Sequence, residues 1–223
     1  MNPTLPDELR PSNRRVENFS DAVFAIVVTI MVLEIRVPDS LAFGSDANAL
    51  MQLSTLIVTY ALSFVVIGIL WASHHYLIFT LPSADRITIW LNNNVLFWVT
   101  TIPIVARFFG LYPTSPRAVS AYAFVIMMCT LSMSLLRAHA ARVSHNELHR
   151  AVHRRVFGKA AIAVGFYAAA IAVAFVNVRL AWILLLVLPA MFFLPVVSRS
   201  MTIGPLLKPS DESGIDGPEC DEE

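Results

Sequence analysis

Between Ala47 and Ser73 the chain runs without a single Asp, Glu, Lys or Arg. At a rise of 1.5 Å per residue, a helix of that length crosses the ~30 Å hydrocarbon core of a bilayer. The apolar positions do not alternate, so the run reads as a helix and not as a barrel strand. Five further apolar stretches, residues 19–37, 87–106, 118–136, 160–178 and 180–198, are each long enough to do the same. The chain has 57% hydrophobic and 14% charged residues, where a soluble domain carries about 25% charged. Its mean hydropathy is +0.65. The expected fold is therefore an all-α integral membrane protein of six transmembrane helices. Residues 1–18 form a cytoplasmic N-terminal segment, 19–203 the membrane domain, and 204–223 an acidic tail that reads as disordered.

Orientation follows from the cations. Arg10, Arg14, Arg15, Arg86, Arg137, Arg142, Arg150, Arg154, Arg155, Lys159, Arg199 and Lys208 fall on one side of the six spans, and only Arg36, Arg107, Arg117 and Arg179 on the other. The cation-rich side is the cytoplasm, which places both termini there in a multi-pass protein of the cell membrane. The formal net charge of zero argues against a nucleic-acid partner. Cys129 and Cys220 are too far apart in sequence and context to suggest a disulfide framework or a metal cluster. The first twenty residues lack the apolar core of a signal peptide. No internal repeat supports a two-halves transporter.

The first span is the unusual one. Asp21 lies just inside one end, and Glu34 and Arg36 close the other. Arg15, Phe19, Ala22, Ile26, Thr29 and Leu33 follow one another at steps of four and three, one continuous helical stripe with Thr29 as its only hydroxyl. By spacing alone the stripe suits ordinary helix packing as well as a pore wall. Asp21 points about 100° away from it. An ionised carboxylate at that depth needs donors, and His74, His75, Asn92, Asn93 and Asn94 are the candidates. Its bland alternative is a helix-terminal charge facing headgroups.

The run from Arg15 through Phe19, Ser20 and Asp21 fits an Arg-three-residues-Phe-Ser-Asp signature. With Trp71, His74, His75, Phe79, Asp85, Asn92 and Pro103, it resembles the bacterial branch of the transmembrane protein 175 family of lysosomal potassium-channel relatives. Where many relatives carry Arg after the two histidines, this chain has Tyr76. The resemblance implies a homotetramer in the lipid bilayer, with each first helix lining a central pore for monovalent cations and no cofactor beyond the permeant potassium ion. It implies that Ile26 forms the apolar constriction, that Ile30 and Leu33 continue the wall, and that Thr29 is the layer linked to cation preference. Arg15, Phe19, Ser20 and Asp21, with His75 and Asn92, would form the structural network.

No TVGYG run is present, so a carbonyl-lined filter is not expected. A ring of Ile26 side chains would instead gate by excluding water. The competing function is a secondary transporter, coupled to a cation or to protons, in which Asp21 binds the coupling ion. An enzyme is not expected: no nucleophile and base stand at catalytic spacing, and His74 and His75 lack the remaining ligands of a metal site. His145, His149 and His153 repeat every four residues between the fourth and fifth spans. They suit a metal or pH-sensing site, or, more simply, contacts with anionic headgroups. Gly158, Ala161, Gly165, Ala168 and Ala172 suggest a close-packing face on the fifth helix.

Overall fold

The computed structural model describes residues 13–37, 47–81, 83–143, 147–187 and 189. Six helices follow in order: α1 (Asn13–Leu33), α2 (Ala47–Phe79), α3 (Arg86–Leu111), α4 (Pro116–Val143), α5 (Glu147–Ala174) and α6 (Val178–Val187). The all-helical membrane fold expected from hydropathy is the one observed. Helices α1 to α4 are long and apolar enough to cross a membrane. The described apolar parts of α5 and α6 are shorter, at Ala160–Ala174 and Val178–Val187. Residues 190–203 of the last expected span, the segment 1–12 and the acidic tail 204–223 lie outside the described residues. So do His145 and the side chains of His149 and His153.

The helix ends follow local chemistry. Asp85 caps α3, its Oδ1 accepting from the Thr88 backbone N–H at 2.7 Å. Pro116 opens α4, where a missing N–H costs nothing. The apolar run from α5 into α6 breaks at Asn177, whose Oδ1 accepts from the N–H groups of Arg179 and Leu180 at 3.1 and 3.3 Å. Several helices outlast the apolar stretches that announced them. Backbone hydrogen bonding continues past the point where side chains turn polar, so α4 runs to Val143 and α5 begins at Glu147.

Helix α4 is the centre of the subunit, packed most extensively on α3 and α5 and also touching α2. Its buried residues include Tyr122, Ile126, Cys129 and Leu136. Tyr122 shares a 3.0 Å hydrogen bond with Ser63 of α2, and Asn94 of α3 donates to Ser132 at 2.8 Å. Where α2 and α3 approach most closely, Gly110 is required. A Cβ there would lie 2.7 Å from Leu56 Cδ2 and 3.3 Å from its Cα. The fifth helix packs through Ala163, Tyr167, Ala170 and Ala174. The stripe of Gly158, Ala161, Gly165, Ala168 and Ala172 faces outward instead, and a Cβ on Gly158 or Gly165 would meet nothing within 4 Å. Within the subunit the helix therefore packs through its other face. Bulkier Tyr167 fits because it stands between alanines spaced three and four residues away.

Helix α1 lies at the edge. Among the described helices it touches only α2 and α3, and 22% of its apolar stretch is buried, against 61% for α4.

Candidate functional site

One face of α1 is held and the other is open. Phe24, Val27 and Met31 bury against the neighbouring helices, with Ser20 one turn earlier. Ser20 hydroxyl donates to the Val16 carbonyl at 2.8 Å and accepts from Asn92 Nδ2 at 3.0 Å. The Asn92 side-chain carbonyl lies 2.6 Å from His74 Nε2. With the proton on Nε2, donation runs in one direction along the row, from His74 to Asn92 to Ser20 to the Val16 carbonyl. All three side chains are buried, so each of these bonds replaces one that water cannot supply. The row joins α2, α3 and α1 in the middle of the subunit.

A second row runs beside it, nearer the surface. Trp71 Nε1 donates to Asp21 Oδ1 at 2.9 Å, and His75 Nδ1 stands 3.3 Å from Glu17 Oε1. Trp71 and His75 are one helical turn apart, as are Glu17 and Asp21, and the two indole and imidazole rings lie 5.7 Å apart. Of the partners expected for the network, Asn92 bonds Ser20 in the inner row and His75 joins Glu17 beside Asp21 in the outer one, while His74 meets Asn92, because adjacent residues on a helix diverge by about 100°. Sequence reasoning also missed Trp71 as the donor to Asp21. Ligand atoms of Glu17, Asp21 and His75 lie within 4.8 Å of one another, close enough for a shared divalent cation.

Both ends of α1 are tied as well. Asn13 Nδ2 donates to the Leu81 carbonyl at 2.6 Å, and Glu34 pairs with Arg107 of α3 at 3.3 Å. Neither contact was read from the sequence. The Glu34 pair joins an acid and a base separated by most of the chain's first half, with no local pattern to signal it.

The opposite face of α1 is exposed throughout. Arg15, Phe19, Ala22, Ile26, Thr29 and Leu33, the stripe defined by spacing, all point away from the subunit, as does Ile30. Ile26 is 55% exposed and Leu33 74%. The Thr29 hydroxyl donates to the Ile26 carbonyl at 2.9 Å. Its proton is thereby turned into the helix and its lone pairs outward, so Thr29 presents an acceptor to whatever passes its face.

This chain resembles known proteins in both sequence and fold. Residues 15–103 match the family described as endosomal/lysosomal potassium channel TMEM175. A potassium channel of Chryseobacterium sp. is 32% identical over 163 residues, spanning 72% of this chain and 82% of that one. The human endosomal/lysosomal proton channel TMEM175 is 34% identical over 114 residues, which cover 48% of this chain and 23% of the human protein. Among solved structures, a lysosomal potassium-selective channel TMEM175 homolog from Chamaesiphon minutus superposes with a TM-score of 0.73 at 28% identity, covering 82% of this chain and 97% of that one. Signature, membrane fold and similarity over most of the chain agree: the chain belongs to the TMEM175 channel family.

Proposed function

We propose that four copies of this chain assemble around an axis lined by α1 and form a potassium-preferring cation channel. The observation that carries the reading is the division of α1 into two faces. One face is fixed to α2 and α3 by buried hydrogen bonds, and the other presents Ile26, Thr29, Ile30 and Leu33 to the outside of a single subunit. Four identical chains close such faces on one another through cyclic symmetry. Relatives named potassium channels support the choice of ion.

In this channel Ile26 forms the constriction. A ring of isoleucine side chains too narrow for a hydrated cation strips its water and offers nothing in return, so conduction waits until the helices shift. Thr29 lies three residues on, and its outward lone pairs replace part of the lost shell. Potassium sheds water more readily than sodium, so it passes more easily. Selection of this kind is modest beside that of a carbonyl filter. The two rows of hydrogen bonds fix the rotation of α1, and hence which residues face the axis. Both termini lie in the cytoplasm of a cell-membrane protein, as the cation distribution requires.

The test is reconstitution of the full chain into liposomes with a potassium-versus-sodium flux assay on wild type and Ile26→Asn. The expected result is a tetramer whose flux grows linearly with driving force and prefers potassium, and a leakier Ile26→Asn variant. Saturable flux coupled to a second gradient would overturn the reading in favour of a transporter. Equal flux in the two proteins would remove Ile26 from the gate.

A further inference from the structure

Every described side-chain carboxylate is engaged elsewhere: Glu17 with His75, Asp21 with Trp71, Glu34 with Arg107, and Asp85 with His139 and the Thr88 backbone. Arg137 of α4 has no such partner among the described residues, although it is only 5% exposed. A guanidinium carries five donors and keeps its charge under all ordinary conditions. Largely withdrawn from water and with no described carboxylate beside it, its charge costs stability unless an acceptor reaches it through the cavity it lines.

Arg137 lines a half-open cavity of about 90 Å³ between α2, α4 and α5, with Pro189 also on its wall. Val66, Leu70, Met133 and Ala163 make most of its wall apolar, while Ser73 and Arg137 make one end polar. That end is the one where α2 and α4 approach the cation-rich side of the protein.

We propose that this cavity binds an anionic phospholipid, its phosphate on Arg137 and Ser73 and an acyl chain along the apolar wall. Three features favour this occupant. The guanidinium matches phosphate oxygens in a two-pronged contact that a neutral headgroup's ammonium would weaken. The wall offers an acyl chain contact and no hydrogen-bonding demand. The polar end lies at headgroup depth, in the cytoplasmic leaflet by the orientation proposed above, where anionic lipid meets juxtamembrane cations. The proposal does not depend on the channel reading.

The test is native mass spectrometry of the full chain exchanged from detergent into mixed micelles of phosphatidylglycerol and phosphatidylcholine. Wild type should retain phosphatidylglycerol selectively, and Arg137→Gln should weaken that retention by about tenfold or more. Ala160→Phe keeps the charge but fills the partly exposed mouth beside it, and should weaken retention similarly. This second variant decides the matter if Arg137→Gln fails to fold. Retention unchanged in Ala160→Phe, or no preference between the two lipids in wild type, would overturn the proposal. So would a wild type that binds no lipid while a chain cut after Lys208 does, since the acidic tail would then be the occupant.

Discussion

Helices α1 and α4 have nearly the same mean hydropathy and comparable length, yet one is the edge of the subunit and the other its centre. Hydropathy counts how apolar a helix is; it does not say what the apolar surface meets. The difference lies in where polar groups sit. On α4 they run along the length of the helix and bond to several neighbours, as Tyr122 does to Ser63, Ser132 to Asn94 and His139 to Asp85. On α1 the polar groups bonded to neighbouring helices gather on one side, in Glu17, Ser20 and Asp21, and the other side holds Phe19, Ile26, Thr29 and Leu33. A helix packed on several neighbours keeps only a narrow exposed strip, here Phe124, Leu131 and Leu135. A helix bonded on one side has a face free for another chain or for an ion.

The largest expected effect comes from loosening the fixed face of α1. Asn92→Leu removes the acceptor of His74 and the donor to Ser20 at once, leaving the buried His74 without its partner and Ser20 with only its bond to the Val16 carbonyl. It should lower stability by about 2 kcal/mol, read as a drop in Tm of the purified protein in detergent. A melting temperature within a degree of wild type would mean that packing, and not the polar row, holds α1 in place. Tyr122→Phe is the matching change on α4. It deletes one buried hydrogen bond to Ser63 and should cost about 1 kcal/mol, with the reversal potential untouched because Tyr122 is remote from the open face of α1. A shift in ion preference from this variant would erase the contrast between the two helices.

Thr29→Val tests the open face itself. Thr29 is exposed in the subunit and bonds only within its own helix, so stability should change by less than ~0.5 kcal/mol. The potassium-to-sodium permeability ratio should fall roughly twofold, equivalent to about 0.4 kcal/mol, measured under bi-ionic conditions. An unchanged ratio would move selection away from this layer.

Much of this division was legible before any coordinates. Length and polarity announced the helices, and the four-and-three spacing from Arg15 to Leu33 defined the face that is exposed. What spacing left open was rotation. His74 and His75 are neighbours in sequence and lie on different faces in space, and only the setting of α2 against α3 decides which meets Asn92. The turn-to-turn spacing of Glu17 and Asp21 on α1 matches that of Trp71 and His75 on α2, so the outer row was in principle readable as two parallel ladders. Glu34 with Arg107, and Asp85 with His139, join residues far apart in the chain. Such pairs depend on helix order, which hydropathy does not carry.

The smallest expected effect concerns Asp85, in the turn between α2 and α3 at the foot of α4. Burial works against its charge, but hydrogen bonds from Thr88 and then His139 outweigh it and hold the carboxyl below its ordinary value of 3.8. His139 Nε2 lies 3.1 and 3.2 Å from the two carboxylate oxygens. A carboxyl whose folded value is depressed contributes stability that is full above its unfolded value and is lost as pH falls through the folded one. Wild type should therefore exceed Asp85→Asn by a few tenths of a kcal/mol, about 0.3, near neutral pH, because asparagine keeps the cap acceptor and loses only the charge. The margin should shrink as pH falls below 3.8 and close once pH passes the lower folded value, where both proteins carry a neutral side chain at position 85. Melting curves of the two proteins from pH 7 to pH 3 measure the margin directly. A margin constant across that range would mean that the contact is geometric and the charge irrelevant. The turn would then join the core around α4, where shape decides stability, and not the polar rows that orient α1.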